Sequence, residues 1–123
     1  MTIMEAISHT DGLKQNSYSN THKVEWLNKV DGMVKRLIID THEGGEAVTF
    51  TGYNDDTPMD TELLVPAPFD ALYQRWLEAQ IDLANAEYDK YNASISLFNT
   101  EYQAFENDYN RKHKPISRGR FVF

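Results

Sequence analysis

Residues 69–113 read FDALYQRWLEAQIDLANAEYDKYNASISLFNTEYQAFENDYNRKH and contain neither glycine nor proline. The run is entered through Pro66-Ala67-Pro68. Proline suits a first helical turn, where its missing N–H would be unpaired anyway. Asp70 falls in the same turn, where a negative charge complements the helix dipole. Lys112 and Lys114 supply the sign preferred at the other end, and Pro115 forbids continuation. Unbroken, about 45 residues at 1.5 Å each would make a helix of roughly 65–70 Å.

The run carries a regular apolar stripe: Tyr73, Leu77, Ile81, Ala84, Tyr88, Tyr91, Ile95, Phe98, Tyr102, Phe105 and Tyr109, at steps of four and three. A 3.5-residue period over about five heptads predicts packing along the whole length. Broad Tyr and Phe rings fit poorly in a two-stranded coiled coil. They suit a helical hairpin, a bundle or a subunit interface, where a phenol can keep its hydroxyl wet. Asn92 and Ser96 bound the expected site of any break, because Asn and Ser compete with the helical backbone. Residues 68–113 therefore read as one long helix or a helical hairpin. Tyr88, Tyr91, Ile95, Phe98, Tyr102, Phe105 and Tyr109 are its candidate subunit-interface residues.

Working outward, Ile3, Met4 and Ile7 predict a short amphipathic helix over 2–13, broken by Gly12 and the polar run Gln15-Asn16-Ser17. Ser19-Asn20-Thr21 offers N-cap oxygens before Val24, Leu27, Val30, Val34, Leu37 and Ile38, whose spacing predicts a helix over 20–43 ended by Gly44-Gly45. Val48 and Phe50 then alternate with Thr49 and Thr51, the period of a strand. Asn54-Asp55-Asp56-Thr57-Pro58 reads as a turn before a second extended piece, Glu62-Leu63-Leu64-Val65. A β-hairpin over 46–65 is expected, and it must pack on the helices or pair with a neighbouring chain. The fold class is mainly α: one domain over 1–123, a helical bundle or hairpin built around the long C-terminal helical segment, with this small β-hairpin and an extended tail over 115–123.

Composition narrows the functions. The chain has 123 residues, 41% hydrophobic and 12% aromatic, too aromatic for a disordered chain. Without cysteine there is no disulfide, thiolate metal site or Cys nucleophile. Met1-Thr2-Ile3-Met4-Glu5 has no basic n-region, and no run approaches a membrane span, so a soluble protein made in the cytoplasm is expected. The first 110 residues hold seven Lys and Arg against all 19 acids, a net −12, while Arg111, Lys112, Lys114, Arg118 and Arg120 face no acid in the last 13. An acidic body repels nucleic acid. The basic tail reads as a tether to an acidic protein surface, with DNA contact a minor option for it alone. Phe121, Val122 and Phe123 cannot bury themselves; they fold back or insert into a partner, for instance as an added strand.

Catalytic signals are absent from the sequence. Asp40-Thr41-His42-Glu43 is the best metal candidate, yet His9, His22 and His113 are scattered and no metal-binding His pair occurs. Asp55, Asp56, Asp60 and Glu62 lack the spacing and glycine of a calcium loop. There is no Ser-centred elbow, phosphate loop or dinucleotide fingerprint. Glu78, Asp82, Glu87, Asp89, Glu101 and Glu106 fall mainly off the aromatic stripe and read as a solvated face. Neither enzyme activity nor a cofactor or metal is expected.

Trp26-Leu27, Asp31-Gly32-Met33, Ile39-Asp40-Thr41-His42-Glu43-Gly44, Phe50-Thr51-Gly52-Tyr53 and the run Asp60-Thr61-Glu62-Leu63-Leu64-Val65-Pro66-Ala67-Pro68 stand together with Tyr88, Tyr91-Asn92, Phe98-Asn99 and Tyr109-Asn110-Arg111. Over most of its length the chain resembles the head–tail connector (adaptor or neck) proteins of tailed bacteriophages and prophages. That resemblance implies a virion structural protein that assembles as a ring, about a dozen copies in that family, on the portal. The ring links the DNA-filled head to the tail. Its implied partners are the portal protein, neighbouring copies and tail-side proteins, with passing contact to DNA in the channel and none to membrane. Arg118, Arg120, Phe121, Val122 and Phe123 become the candidate portal-docking tail. The alternatives are another tail-completion or assembly factor, or a small regulatory module that binds one protein.

Overall fold

Helix α1 (Ile3–Leu13) opens on a reciprocal cap, as Thr2 Oγ1 accepts from the Glu5 N–H and the Glu5 carboxylate accepts from the Thr2 N–H. Its buried face, Ile3, Ala6, Ile7 and Thr10, has the spacing of one helical side. Helix α2 (Asn20–Met33) is capped by the Ser19 hydroxyl, which accepts from the His22 N–H. The coil then widens into a π-helical turn (Val34–Ile38) and tightens into a 3₁₀ turn (Ile39–Thr41). Val24, Leu27, Val30, Val34 and Ile38 are buried along this length, while Leu37 remains 54% exposed. This computed structural model describes residues 1–116; Arg118, Arg120, Phe121, Val122 and Phe123 lie outside the described residues.

The glycine-free run folds as a hairpin of α3 (Ala71–Ala84) and α4 (Tyr88–Lys112), packed against each other along their lengths. The break falls at residues 85–87, seven residues before the expected Asn92. Its hydrogen bonds explain why. The Glu87 N–H reaches the Asp82 carbonyl at 2.9 Å and the Ala86 N–H reaches the Leu83 carbonyl at 3.0 Å. That pair closes a helix in the Schellman manner, with Ala86 at φ 58° in the left-handed position usually given to glycine. Asn92 and Ser96 lie inside α4 and do not interrupt it.

The β-hairpin expected over 46–65 does not form, and no strand occurs among the described residues. Gly45–Ala47 make a 3₁₀ turn, and residues 48–65 cross the helices as irregular chain. The second expected strand is engaged elsewhere. Ile3 N–H donates to the Thr61 carbonyl, Met4 N–H to the Met59 carbonyl and Leu63 N–H to the Met1 carbonyl, with Thr2 and Glu62 forming an isolated antiparallel bridge. Pairing with residues 1–4 therefore replaces pairing with residues 48–53. The mainly helical class stands without the β element.

One core unites these parts. Ile3, Ala6 and Ile7 of α1, Leu27, Val30, Val34 and Ile38 of α2 and its extension, Val65 of the irregular segment, Leu72, Tyr73 and Leu77 of α3, and Phe98 and Phe105 of α4 are all buried together. Gly45 allows the close return after the 3₁₀ turn, since a Cβ there would lie 2.4 Å from the Ile39 carbonyl oxygen.

The left-handed Ala86 gives a stability order. An L-residue there costs about 1–2 kcal/mol, partly offset by glycine's greater unfolded-state entropy of about 0.5–1 kcal/mol. Ala86→Gly is expected to stabilise by about 0.5–1 kcal/mol and Ala86→Val to destabilise, measured by urea denaturation. A glycine variant less stable than the parent would contradict the turn assignment.

Candidate interaction surface

The most constrained polar group is Asp31, on the apolar side of α2 between Val30 and Val34 and fully buried. Its Oδ1 accepts from the Tyr73 hydroxyl at 2.6 Å. Its Oδ2 accepts from the Tyr53 hydroxyl and from the Leu64 N–H at 3.0 Å. The Tyr73 oxygen in turn accepts from the Val65 N–H at 2.7 Å. One carboxylate thus ties α2, α3 and both ends of the irregular segment. Burial pushes the Asp31 carboxyl above its ordinary value, against the pull of Tyr53, Tyr73 and the Leu64 N–H. Burial, then the charge of Asp31, drives both phenols well above the usual tyrosine range. The arrangement is a structural anchor: both oxygens of the buried carboxylate accept from donors of the fold. Asp31 was legible only as an acid inside the apolar stripe Leu27, Val30, Val34.

A second anchor joins three helices. Asp82 on α3 is 1% exposed and binds the Lys14 ammonium at 2.7 Å and the Ser94 hydroxyl of α4 at 2.9 Å. Asp82 therefore leaves the solvated acidic face expected for it, and Glu78 is buried as well. Glu87, in contrast, pairs at the surface with Lys90, which holds its carboxyl below the ordinary value.

His42 is buried. Its Nδ1 lies 2.5 Å from the Ile38 carbonyl and its Nε2 lies 2.6 Å from Asn110 Oδ1, while its ring meets Tyr109 edge-on at 4.9 Å. It links the end of the α2 extension to α4. Asp40 pairs instead with Lys35, so Asp40, His42 and Glu43 do not converge. Among the described residues no group of three His, Asp or Glu is placed to hold a metal. Asp55 and Asp56 belong to a turn in which the Asp56 N–H donates to Asn54 Oδ1 and the Thr57 N–H to the Asn54 carbonyl. Alongside His42 the chain returns. The Glu43 N–H donates to the Lys114 carbonyl at 2.8 Å and the Ile116 N–H to the Thr41 carbonyl at 2.9 Å, an antiparallel strip against the body.

The candidate interface residues divide. Phe98 packs on Trp76 with ring centroids 5.0 Å apart, and Phe105 on Phe69 at 6.0 Å, so both are core residues of this chain. Ile95, Tyr102 and Tyr109 are half-buried against that core. Tyr91 is half-buried, and Tyr88 at 60% is the most exposed of the set. Leu13, Leu83 and Leu97 are also exposed, an apolar contribution that the aromatic stripe did not announce. No helix among the described residues is long and apolar enough to cross a membrane. Comparison of the chain with protein-family models, curated proteins and solved structures finds no match.

Asp31→Asn replaces an acceptor with an amide donor facing a tyrosine hydroxyl or the Leu64 N–H, and is expected to cost about 2–4 kcal/mol. The native carboxyl takes up a proton more readily than the unfolded one, so its contribution is largest below the ordinary carboxylate pKa of about 4 and falls as pH rises through the raised native value. The penalty of Asp31→Asn in urea denaturation should accordingly be larger near pH 4 than near pH 7. An equal or reversed penalty would show that the three donors, and not burial, dominate the site.

Proposed function

We propose that this chain is a non-enzymatic assembly protein of a tailed bacteriophage, a head–tail connector that joins a ring on the portal and uses residues 117–123 as its docking arm. The observation that carries the reading is the strip between residues 41–43 and 114–116. It fixes Ile116 on the body, so that a segment bearing Arg118, Arg120, Phe121, Val122 and Phe123 departs from a defined point. A tether anchored at its root loses less freedom on docking than one that begins in loose chain. The charge contrast supports the same role, because a basic arm on a net-acidic body is drawn to acidic surfaces of other subunits. The polar groups support it from the other side: Asp31, Asp82 and His42 are each satisfied by the fold and serve its rigidity. A ring whose channel carries the acidic body would pass DNA without gripping it.

Co-sedimentation with portal rings of the same genome tests this. The full chain is expected to bind stoichiometrically, and a version lacking residues 117–123, which keeps the 41–43 strip, to lose at least tenfold in affinity. Failure of the full chain to bind would remove the connector reading.

A further inference from the structure

α2 and its extension carry two stripes, and the core accounts for one of them. Val24, Leu27, Val30, Val34 and Ile38 are buried. On the outer side Lys29, Gly32, Met33, Arg36 and Leu37 recur at steps of three and four and border a shallow surface hollow. Leu37 owes its place there to the backbone. In a continuous α-helix Leu37 and Ile38, three and four residues on, would flank the buried direction of Val34. The wider π-helical turn over Val34–Ile38 keeps Ile38 buried and leaves Leu37 54% exposed. Such turns are frequent at functional sites. Lys29 and Arg36 are exposed, and neither makes an ion pair among the described residues, whereas Lys35 is tied to Asp40.

Charge selects what covers this stripe. Two such stripes facing each other would set Lys29 and Arg36 against like charges. A segment bearing Arg118 and Arg120 is repelled from it in the same way. The complement is Asp55 and Asp56, exposed in the turn that Asn54 and Thr57 close. Their carboxylates take no part in the hydrogen bonds of that turn and enter no ion pair among the described residues. Beside the turn lies a cleft of about 330 Å³ walled by Phe50, Tyr53, Pro58 and Leu64. A leucine between cations thus has an apolar hole beside acids to match it. Leu37 is not among the walls of its own cleft and stands in solvent, so a leucine that enters comes from another copy.

We propose that copies of this chain associate head to tail, the outer stripe of α2 on one copy docking on the acidic turn of the next. Leu37 enters the cleft beside Phe50 and Pro58, and Lys29 and Arg36 face Asp55 and Asp56. Two different faces meeting make a heterologous contact, which closes into a ring when its rotation permits. The contact supplies the interface between neighbours that the connector reading requires, and it rests on that reading. It leaves residues 117–123 to the portal.

Sedimentation equilibrium of the full chain is expected to show self-association that weakens as salt rises. Lys29→Glu with Arg36→Glu, and separately Asp55→Lys with Asp56→Lys, should each weaken it at least about tenfold. All four positions are exposed, and circular dichroism checks that the helices remain. An equimolar mixture of the two reversed chains should associate again, because every contact between unlike chains is then complementary. A parent chain that stays monomeric at millimolar concentration overturns the proposal, as do reversed chains that associate like the parent. A mixture that stays monomeric overturns it too, since the turn is then not what the stripe meets. Removing residues 117–123 should leave association unchanged; its loss would give the cleft to the tail and refute the proposal. Portal co-sedimentation separates the two ideas. Portal binding by a chain that does not self-associate leaves the connector reading standing and this one refuted; self-association through these faces without portal binding does the reverse.

Discussion

A carboxylate removed from water needs hydrogen-bond donors from the protein, and at Asp31 three donors come from three separate stretches of chain. That requirement organises the molecule. Residues 48–65 lack a strand ladder and span a length at which irregular chain would ordinarily wander. They are held at Tyr53 and Leu64 by this one acid, and at Val65 through the Tyr73 hydroxyl. Since Tyr73 is also a buried residue of α3, the placement of the hairpin and of the irregular segment is a single event. A partly satisfied cluster would be worse than none, because each unfilled donor or acceptor would carry its desolvation cost in full.

The helices around it follow from patterning. Stripes at three and four residues in α1, α2 and α3 predict their buried faces, and the long aromatic stripe of α4 predicts its packing partner's side. The stripe was ambiguous about what covers it. Phe98 and Phe105 are covered from within, by Trp76 and Phe69, while Tyr88 remains outside. A repeat of the same period cannot separate an intramolecular seam from an intermolecular one, because both present the same face to an apolar neighbour.

Three features were not legible, each for a local reason. The turn at residues 85–87 uses alanine in a left-handed position, so the usual glycine signal is missing, and the Asn and Ser at 92–96 were the louder but weaker cue. The alternating pattern at 48–53 marks a segment suited to pairing, yet pairing is a property of two segments. The second candidate was taken by residues 1–4. Asp82 looked like surface charge because its partners, Lys14 and Ser94, lie 68 and 12 residues away in the chain. Long-range partners of buried acids leave no periodic trace.

Interior and surface differ in kind: the buried acids Asp31 and Asp82 hold the body, while Leu13, Leu83 and Leu97 stand exposed on its helices. Asp31 is the point at which the irregular segment is fixed. Native-state hydrogen exchange, read residue by residue, tests this most directly. The Leu64 and Val65 amides, which face Asp31 and Tyr73, should exchange only through global unfolding, while those of Thr49, Phe50 and Thr51 should exchange at nearly unprotected rates. Leu64 and Val65 exchanging as fast as Thr49 would contradict it.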